Sequence, residues 1–220
     1  LALVPDPLAA TIKNDFPQVE ESLRFRDYGG IRVKKGNENL QENRVIFTDS
    51  TLFNVFTLSL LAGDSKTALT APSSIVITER MAKKYFDSSD VVGKNLVVND
   101  TSVRTITAVI KNIPAQSHFN YDFFLPLRSQ ESRSGNWLSN NFNTYIVLKK
   151  GTDPQKLESQ LSGIIQKYLA PQAEQVFNAS MEQLEKSGAH VFYSLMPLTK
   201  IHLHSSKTGE LGANGSMEYV

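Results

Sequence analysis

The hydrophobic pattern changes its period within one stretch of the chain, residues 73–114. Ile75 to Ile77 are three consecutive β-branched residues, which suit a half-buried strand. From Met81 to Phe86 the apolar residues recur at helical spacing, with charged residues between them. We expect the hydroxyl of Thr78 to cap this helix, because it can accept an unpaired N–H of the first turn. Two apolar runs follow, VVGKNLVVND and TITAVIKNIP, so the stretch predicts strand, helix, strand, strand.

The segment before this stretch predicts a short helix and then an antiparallel meander. Apolar residues at every fourth position between Leu8 and Phe16 indicate the helix, with Asp6 as its cap. Asp49 and Ser50 are the expected cap of a second short helix. Turn residues separate β-rich runs both here and after the central stretch, and these predict strands at residues 19–26, 30–35, 42–48, 122–127 and 143–149.

The C-terminal part contains the strongest helical pattern. Asp153 and Pro154 are typical of a helix start, and an apolar stripe follows to Leu169. Pro171 is expected to interrupt the helix, after which an amphipathic pattern continues to Gly188. Residues 190–196 are then predicted to form a strand.

These elements predict an α+β fold of two lobes. Polar connections at residues 64–74 and 116–120 separate β-α-β-type elements from a sheet-rich central part. We predict a discontinuous subdomain at residues 1–63 and 120–205. A mainly β subdomain at residues 64–119 is inserted into it, and a final exit segment occupies residues 206–220.

Composition excludes several classes of protein. The 220 residues are 40% hydrophobic and 20% charged, which is typical of a globular chain. A net charge of +1 argues against nucleic-acid binding, which needs a concentrated basic surface. No run approaches the roughly 18 apolar residues of a membrane span. Because the sequence opens without methionine and stops inside an apparent strand, we interpret it as an excised piece.

Several strings resemble one family. VITERMAKKYF, VVGKNLVV and TITAVIKNIPAQSHFNYDFFLPL are similar to the extracytoplasmic core domain of ABC-transporter permeases of the MacB and FtsX type, in the form common in Bacteroidetes-like sequences. FTDSTLFNVFTLSLLAGD resembles the family's preceding segment and PLTKIHLHS its exit segment. The similarity extends from about Val45 to His204.

The resemblance implies a function without catalysis in this domain. In the family the two subdomains are called porter and sabre, and transmembrane helices would lie before Leu1 and after Val220. The domain would stand on the periplasmic side of the inner membrane and transmit motion driven by a cytoplasmic ATPase. A permease homodimer is implied, with a periplasmic adaptor or outer-membrane partner in some members. Peptides, lipoproteins, lipids or cell-wall enzymes are the implied clients.

Two histidines near the end of the chain are candidate metal ligands. His202 and His204 alternate, so on a strand both would point to one face, where two imidazoles could share a metal ion. No cysteine or third histidine lies within local reach. We therefore interpret them as polar strand positions and predict no metal and no cofactor.

Other residues of catalytic type also favour structural roles. Ser117 and His118 could form half of a nucleophile pair, but no GxSxG turn accompanies them, so a loop role is expected. Two carboxylate pairs, Asp49 with Asp64 and Glu20 with Glu21, show no spacing that indicates acid–base chemistry. We interpret Lys83 and Lys84 as part of a solvated helix face. We predict that the domain is not an enzyme.

The segment from Arg128 to Asn141 is polar, and we predict that it is a mobile loop that serves either as a partner contact or as a mobile cover. It contains the single tryptophan, Trp137, which either anchors the loop to the body or is an exposed partner contact. A membrane-anchored ligand-binding or sensor domain is the alternative function. That alternative would require a concave pocket with a few convergent polar groups.

Overall fold

The computed structural model describes residues 1–127, 135–204 and 207–212. Its strands are β1 (Val4–Pro5), β2 (Val19–Arg26), β3 (Ile31–Lys35), β4 (Glu38–Glu42), β5 (Val45–Thr48), β6 (Leu60–Gly63), β7 (Ser74–Thr78), β8 (Asn95–Val98), β9 (Ser102–Ile110), β10 (Phe123–Pro126) and β11 (Asn140–Leu148). Its helices are α1 (Leu8–Asp15), α2 (Leu52–Val55), α3 (Glu79–Phe86), α4 (Pro154–Gln160), α5 (Ser162–Ile164), a π-helix (Ile165–Leu169), α6 (Ala170–Phe177), α7 (Met181–Lys186) and α8 (Leu198–His204). The predicted α+β class is confirmed.

The described strands form a single mixed sheet. Its order is β1-β11-β2-β5-β10-β7-β9-β8-β3-β4, and β6 pairs with β9 beside this path. The pairs β5–β10 and β7–β9 are parallel, and the other pairs are antiparallel. Strands from residues 64–119 therefore pair directly with β10 and β3, which lie outside that range. The division into two subdomains stays a prediction.

Alternation along the central strands divides the core between the two faces of the sheet. In β7, Ile75 and Ile77 pack in one hydrophobic cluster with helix α3, whereas Val76 packs in another on the opposite face. A third cluster fills the space between β11 and the helices α1 and α4 to α7. Ile75, Val76 and Ile77 are all fully buried, as the run of β-branched residues predicts.

The predicted cap of α3 is wrong in its chemistry. The hydroxyl of Thr78 donates to Asp122 Oδ1 at 2.8 Å instead of accepting an N–H of the helix. The amide oxygen of Asn112 accepts the N–H of Arg80 at 3.1 Å in its place. A residue distant in sequence therefore caps the helix, and local spacing alone cannot indicate such a partner.

The caps proposed for the two preceding helices are also wrong. Neither α1 nor α2 has a side-chain cap, and Asp6 and Asp49 both bind the guanidinium of Arg24. Both partners are charged in a carboxylate–guanidinium pair, whereas only the carboxylate is charged in an Asp cap, so the guanidinium is the stronger partner. By contrast, α4 starts at Asp153 and Pro154 as predicted, and Asp153 caps it by accepting the N–H groups of Gln155 and Lys156.

The chain after α7 departs most from the sequence prediction. Residues 190–196 form no strand, and the segment has no regular secondary structure. His202 and His204 lie in helix α8, where strand alternation does not apply, so the premise of the two-histidine metal site is wrong. Helical structure also continues through the π-helix to Pro171, which lies in the first turn of α6 and needs no N–H partner there.

Candidate functional site

Two segments distant in sequence lie side by side at the β1 end of the sheet. The N–H of Ala2 donates to the carbonyl of Thr208 at 2.9 Å. The side-chain amide of Asn143, in β11, donates to Gly209 O at 2.9 Å and lies 3.4 Å from Ala2 O. Asn143 is buried, at 8% exposure, so these hydrogen bonds are shielded from water. The two segments are thus joined to each other and to the sheet.

An aromatic cluster lies beneath the second of these segments. Phe25 is fully buried and packs against four other rings, those of Phe56, Phe119, Tyr121 and Tyr145. Leu211 packs on the same cluster. The aromatic cluster therefore anchors the segment that follows residue 207 to the interior of the protein.

Arg24 joins the start of the chain to the sheet. Its guanidinium binds Asp49 through two hydrogen bonds of 3.0 and 2.7 Å and also pairs with Asp6, which precedes α1. Burial by itself disfavours the charged form, but the hydrogen bonds and charges of Asp49 and Asp6 outweigh it, so the pKa of Arg24 is raised. The arginine is therefore charged whenever the protein is folded and keeps the first residues in place.

A second ionic centre surrounds Asp122, at the start of β10. Its carboxylate accepts from Thr78 Oγ1 at 2.8 Å and from Arg80 Nε at 2.6 Å, and Arg44 Nε lies 3.4 Å from it. Only 5% of its side chain is exposed. Arg44 immediately precedes β5 and Arg80 lies in the first turn of α3, so this carboxylate joins the starts of β5 and α3 beside β10.

A family model describes most of the chain. The model of the MacB-like periplasmic core domain matches residues 2–164, about three quarters of the sequence. The chain belongs to this family. It is therefore the extracytoplasmic domain of a MacB-like ABC permease, and the family resemblance seen in the sequence is confirmed.

Solved structures agree with the fold of this MacB-like domain. A domain from Porphyromonas gingivalis, from a protein described as a permease, is 24% identical with a TM-score of 0.67, covering 76% of this chain and 79% of that one. The periplasmic region of MacB from Actinobacillus actinomycetemcomitans is 12% identical with a TM-score of 0.51, covering 84% and 82%. The extracellular domain of the noncanonic ABC-type transporter YknZ from Gram-positive bacteria is 14% identical with a TM-score of 0.53, covering 89% and 90%. Among curated protein sequences, none matches the chain.

Ser117 and His118 make structural contacts in the MacB-like domain. The N–H of Ser117 donates to Pro114 O within a turn, and His118 Nε2 lies 3.1 Å from the hydroxyl oxygen of Tyr145. His118 also packs against Phe56 and Phe119, so its ring belongs to the aromatic cluster. Within the described residues, no group of three or more His, Asp or Glu could hold a metal ion.

The paired carboxylates and lysines are engaged separately in the MacB-like domain. Asp49 binds Arg24, whereas Asp64 accepts the N–H of Lys66 in a turn. Glu21 accepts the N–H of Ser22. The paired lysines bind different carboxylates, Lys83 with Glu79 and Lys84 with Glu42. The contacts that these side chains make are thus with other partners and not within the pairs.

Trp137 is an anchor and not an exposed contact. It is 6% exposed and stacks on Tyr168, with ring centroids 5.1 Å apart. Its backbone N–H donates to Gln172 Oε1 at 2.8 Å. Residues 128–134 of the segment predicted to be mobile, 128–141, lie outside the described part. So do residues 206 and 213–220 of the predicted exit segment.

Sequence reasoning missed the ionic and amide centres of the domain. Asp122 carried a signal, since a carboxylate inside the apolar run YDFFLPL needs a buried cation. Asn143 carried none, because its partners are backbone carbonyls distant in sequence. Within the described residues, no helix is long and apolar enough to cross a bilayer.

The stability of the domain should fall at alkaline pH. Burial raises the pKa of four tyrosines above the ordinary value of 10.0, to about 12 for one of them, Tyr193; the others are Tyr85, Tyr121 and Tyr145. Above about pH 10 the unfolded chain releases tyrosine protons that the folded chain keeps. The free energy of unfolding should then fall with rising pH, by about 1.4 kcal/mol per pH unit for each such tyrosine.

Urea unfolding at about pH 8 and about pH 11 measures this loss. Replacing Tyr145 by Phe should reduce the difference between the two free energies, because one retained proton is removed. The value near pH 8 corrects for the lost hydroxyl contact with His118. An unchanged difference in Y145F would contradict the assignment.

Proposed function

We propose that this domain couples ATP hydrolysis in the cytoplasm to conformational change on the periplasmic side of the inner membrane. The observation that carries the proposal is the pairing of Ala2 with Thr208, held by Asn143. Membrane helices attached at both segments would meet the domain at one place. A change in the separation or tilt of those helices would then act directly on the edge of the sheet.

The continuous sheet supports transmission as a unit. Hydrogen-bonded strands run from β1 at one edge to β4 at the other. Bending such a sheet would break ladder hydrogen bonds and disturb close-packed clusters on both faces. We therefore propose that motion passes through the domain mainly as a rotation of the whole domain. If the two subdomains move separately, the hinge would lie in the connections at residues 64–74 and 116–120.

The partners follow from this function. The permease would work as a homodimer with a cytoplasmic ABC ATPase, and a periplasmic adaptor or outer-membrane partner would receive the motion. Peptides, lipoproteins or similar clients would be exported or released. The domain itself contributes surfaces and stiffness to this process and not catalysis.

Spin-label distances in the full-length permease with its ATPase test the proposal. The chain has no cysteine, so K150C adds a single labelling site to this domain, and any cysteine elsewhere in the permease or its ATPase is first replaced by serine. Lys150 is exposed at the turn after β11. We expect the Lys150–Lys150 distance between the two permease copies to change between the nucleotide-free and ATP-bound states. An ATPase variant that binds but does not hydrolyse ATP should hold the ATP-bound distance.

A second label at the exposed Asp90, measured in copies diluted with unlabelled permease, tests stiffness. The distance from position 90 to position 150 should stay constant through the cycle. A change in that distance would place a hinge between the predicted subdomains. If the distance between the two copies is the same in every nucleotide state, coupling through this domain is wrong.

A further inference from the structure

A groove of about 370 Å³ lies between the α4–α5 helices and residues 191–193. One wall is a polar helix face, because its residues recur at i, i+3, i+4 and i+7. These residues are Gln155, Glu158, Ser159 and Ser162. Leu157 and Leu161, on the other side of the same helices, are buried in the third hydrophobic cluster. The polar face is thus available at the surface while the helix is fixed from below.

The other wall is aromatic. Phe192 is 78% exposed and Tyr193 is partly buried, and both line the groove. Glu158 Oε2 accepts the N–H of Leu195 at 2.5 Å, so this carboxylate holds the two walls together. A large, solvent-exposed phenylalanine contributes nothing to the core, which leaves its apolar ring available for a ligand.

Glu158 is the only charged side chain among the residues that line the groove. Lys207 lies outside the lining, where its ammonium donates to Ser194 Oγ at 3.2 Å. No lysine or arginine of the described part forms an ion pair with Glu158. A carboxylate beside aromatic rings favours a cation, through charge-assisted hydrogen bonds to the carboxylate and cation–π contact with the rings.

The groove has room for more than a single charged group. Its volume lies at the lower end of the roughly 300–1,000 Å³ range of ligand pockets. The hydroxyls of Ser159 and Ser162 donate to carbonyls of α4, so they can act only as acceptors for peptide N–H groups. The side-chain amide of Gln155 can both donate and accept. An extended peptide would therefore satisfy both the charged and the polar parts of the groove.

We propose that this groove binds an arginine or lysine side chain presented by an extended peptide segment of a client or partner. The aromatic wall lies beyond residues 2–164, so it is not part of the region that the family model matches. Recognition by the groove is separate from mechanical coupling, and either can fail without the other.

Titration of the ¹⁵N-labelled chain with a defined peptide tests the proposal. The probe is acetyl-Ala-Ala-Arg-Ala-Ala-amide, and its control carries citrulline, which has the shape of arginine without the charge. We expect amide shifts at residues 155–162 and 191–195, and about tenfold weaker binding of the citrulline peptide. Free arginine amide should also bind about tenfold more weakly, because it lacks the peptide backbone.

Two substitutions separate the groove from general charge. E158Q keeps an acceptor for the N–H of Leu195 and should weaken arginine-peptide binding about tenfold, while thermal unfolding stays unchanged. E174Q makes the same charge change at an exposed position of α6 and should leave binding unchanged. The proposal is overturned by equal binding of the arginine and citrulline peptides, by equal effects of the two substitutions, or by shifts elsewhere. Arginine amide binding as tightly as the peptide would overturn the peptide assignment.

Discussion

Replacing Phe25 by alanine should lower the free energy of unfolding by about 4 kcal/mol. The ring is fully buried at the centre of the aromatic cluster, and its nearest ring centroid lies 5.3 Å away, in Phe119. Alanine would leave a cavity that the surrounding rings cannot fill, and it would remove edge-to-face contacts as well. Urea unfolding followed by circular dichroism measures the loss.

A matched control comes from a phenylalanine on the surface. F192A removes the same atoms from a side chain that is 78% exposed, so its free energy of unfolding should change by less than about 0.5 kcal/mol. F25L should fall between the two, because leucine keeps much of the buried volume. Similar losses in F25A and F192A would show that the aromatic cluster does not stabilise the fold.

Loss of the Phe25 ring should also weaken the attachment of residues 207–212, on which the proposed coupling depends. Leu211 packs on the same aromatic cluster, and a Cβ at Gly212 would lie 2.9 Å from His118 O, which shows how closely the chain passes there. A loosened cluster would release residues 207–212 from the interior. In native-state hydrogen exchange, F25A should therefore lose protection in this segment as well as in β2.

Replacing Asp122 by alanine should destabilise the protein by about 3 kcal/mol. The carboxylate is 5% exposed and receives hydrogen bonds from Thr78 and Arg80, with Arg44 as a second cation. Its removal leaves the two guanidinium groups uncompensated. The value is at the low end for a broken buried ion pair, because both arginine side chains are 39% exposed and water can reach them.

The same substitution in a surface pair provides the control. Asp100 pairs with Arg32, and both side chains are about half exposed. D100A should cost no more than about 0.5 kcal/mol, because solvent screens the pair. D122N should lose less than D122A, since an amide oxygen can still accept the hydroxyl of Thr78. If D100A and D122A reduce the free energy of unfolding equally, burial is not what makes Asp122 important.

Phe25 and Asp122 differ in how much of their environment could be predicted from the sequence. Phe25 lies in a strand whose bounds, 19–26, the alternation of the sequence predicted and the structure confirmed. Its partners Phe119 and Tyr145 come from distant segments, and nothing in the sequence indicated that they meet. Asp122 lies inside an apolar run, and this position indicates a buried charge. The sequence did not indicate which arginines would neutralise that charge.

Caps show the same difference for helices. The start of α4 at Asp153 was predicted, and Asp153 caps the helix, because its partners Gln155 and Lys156 are two and three residues away. Thr78 and Asp49 have the residue types of a cap, yet they bind Asp122 and Arg24. A local rule is reliable where no stronger distant partner competes for the same oxygen.

The groove and the joined segments lay beyond sequence reasoning. The polar face of α4 and α5 follows from helical spacing, but its aromatic wall comes from residues that were predicted to form a strand. A segment that pairs with no strand can have the same composition as a segment that does. Pairing depends on which edge lies within reach, and this is decided only when the chain is folded.

By itself, the sequence determined the α+β class, most strands and helices, and the family, because these depend on local periodicity and on short residue strings. The tertiary structure alone decided the strand order, the partners of Asp122 and Arg24, and the meeting of Ala2 with Thr208. Period and propensity act between neighbouring residues. Sheet order, ion pairing and the joining of distant segments depend on contacts that exist only after the whole core has packed.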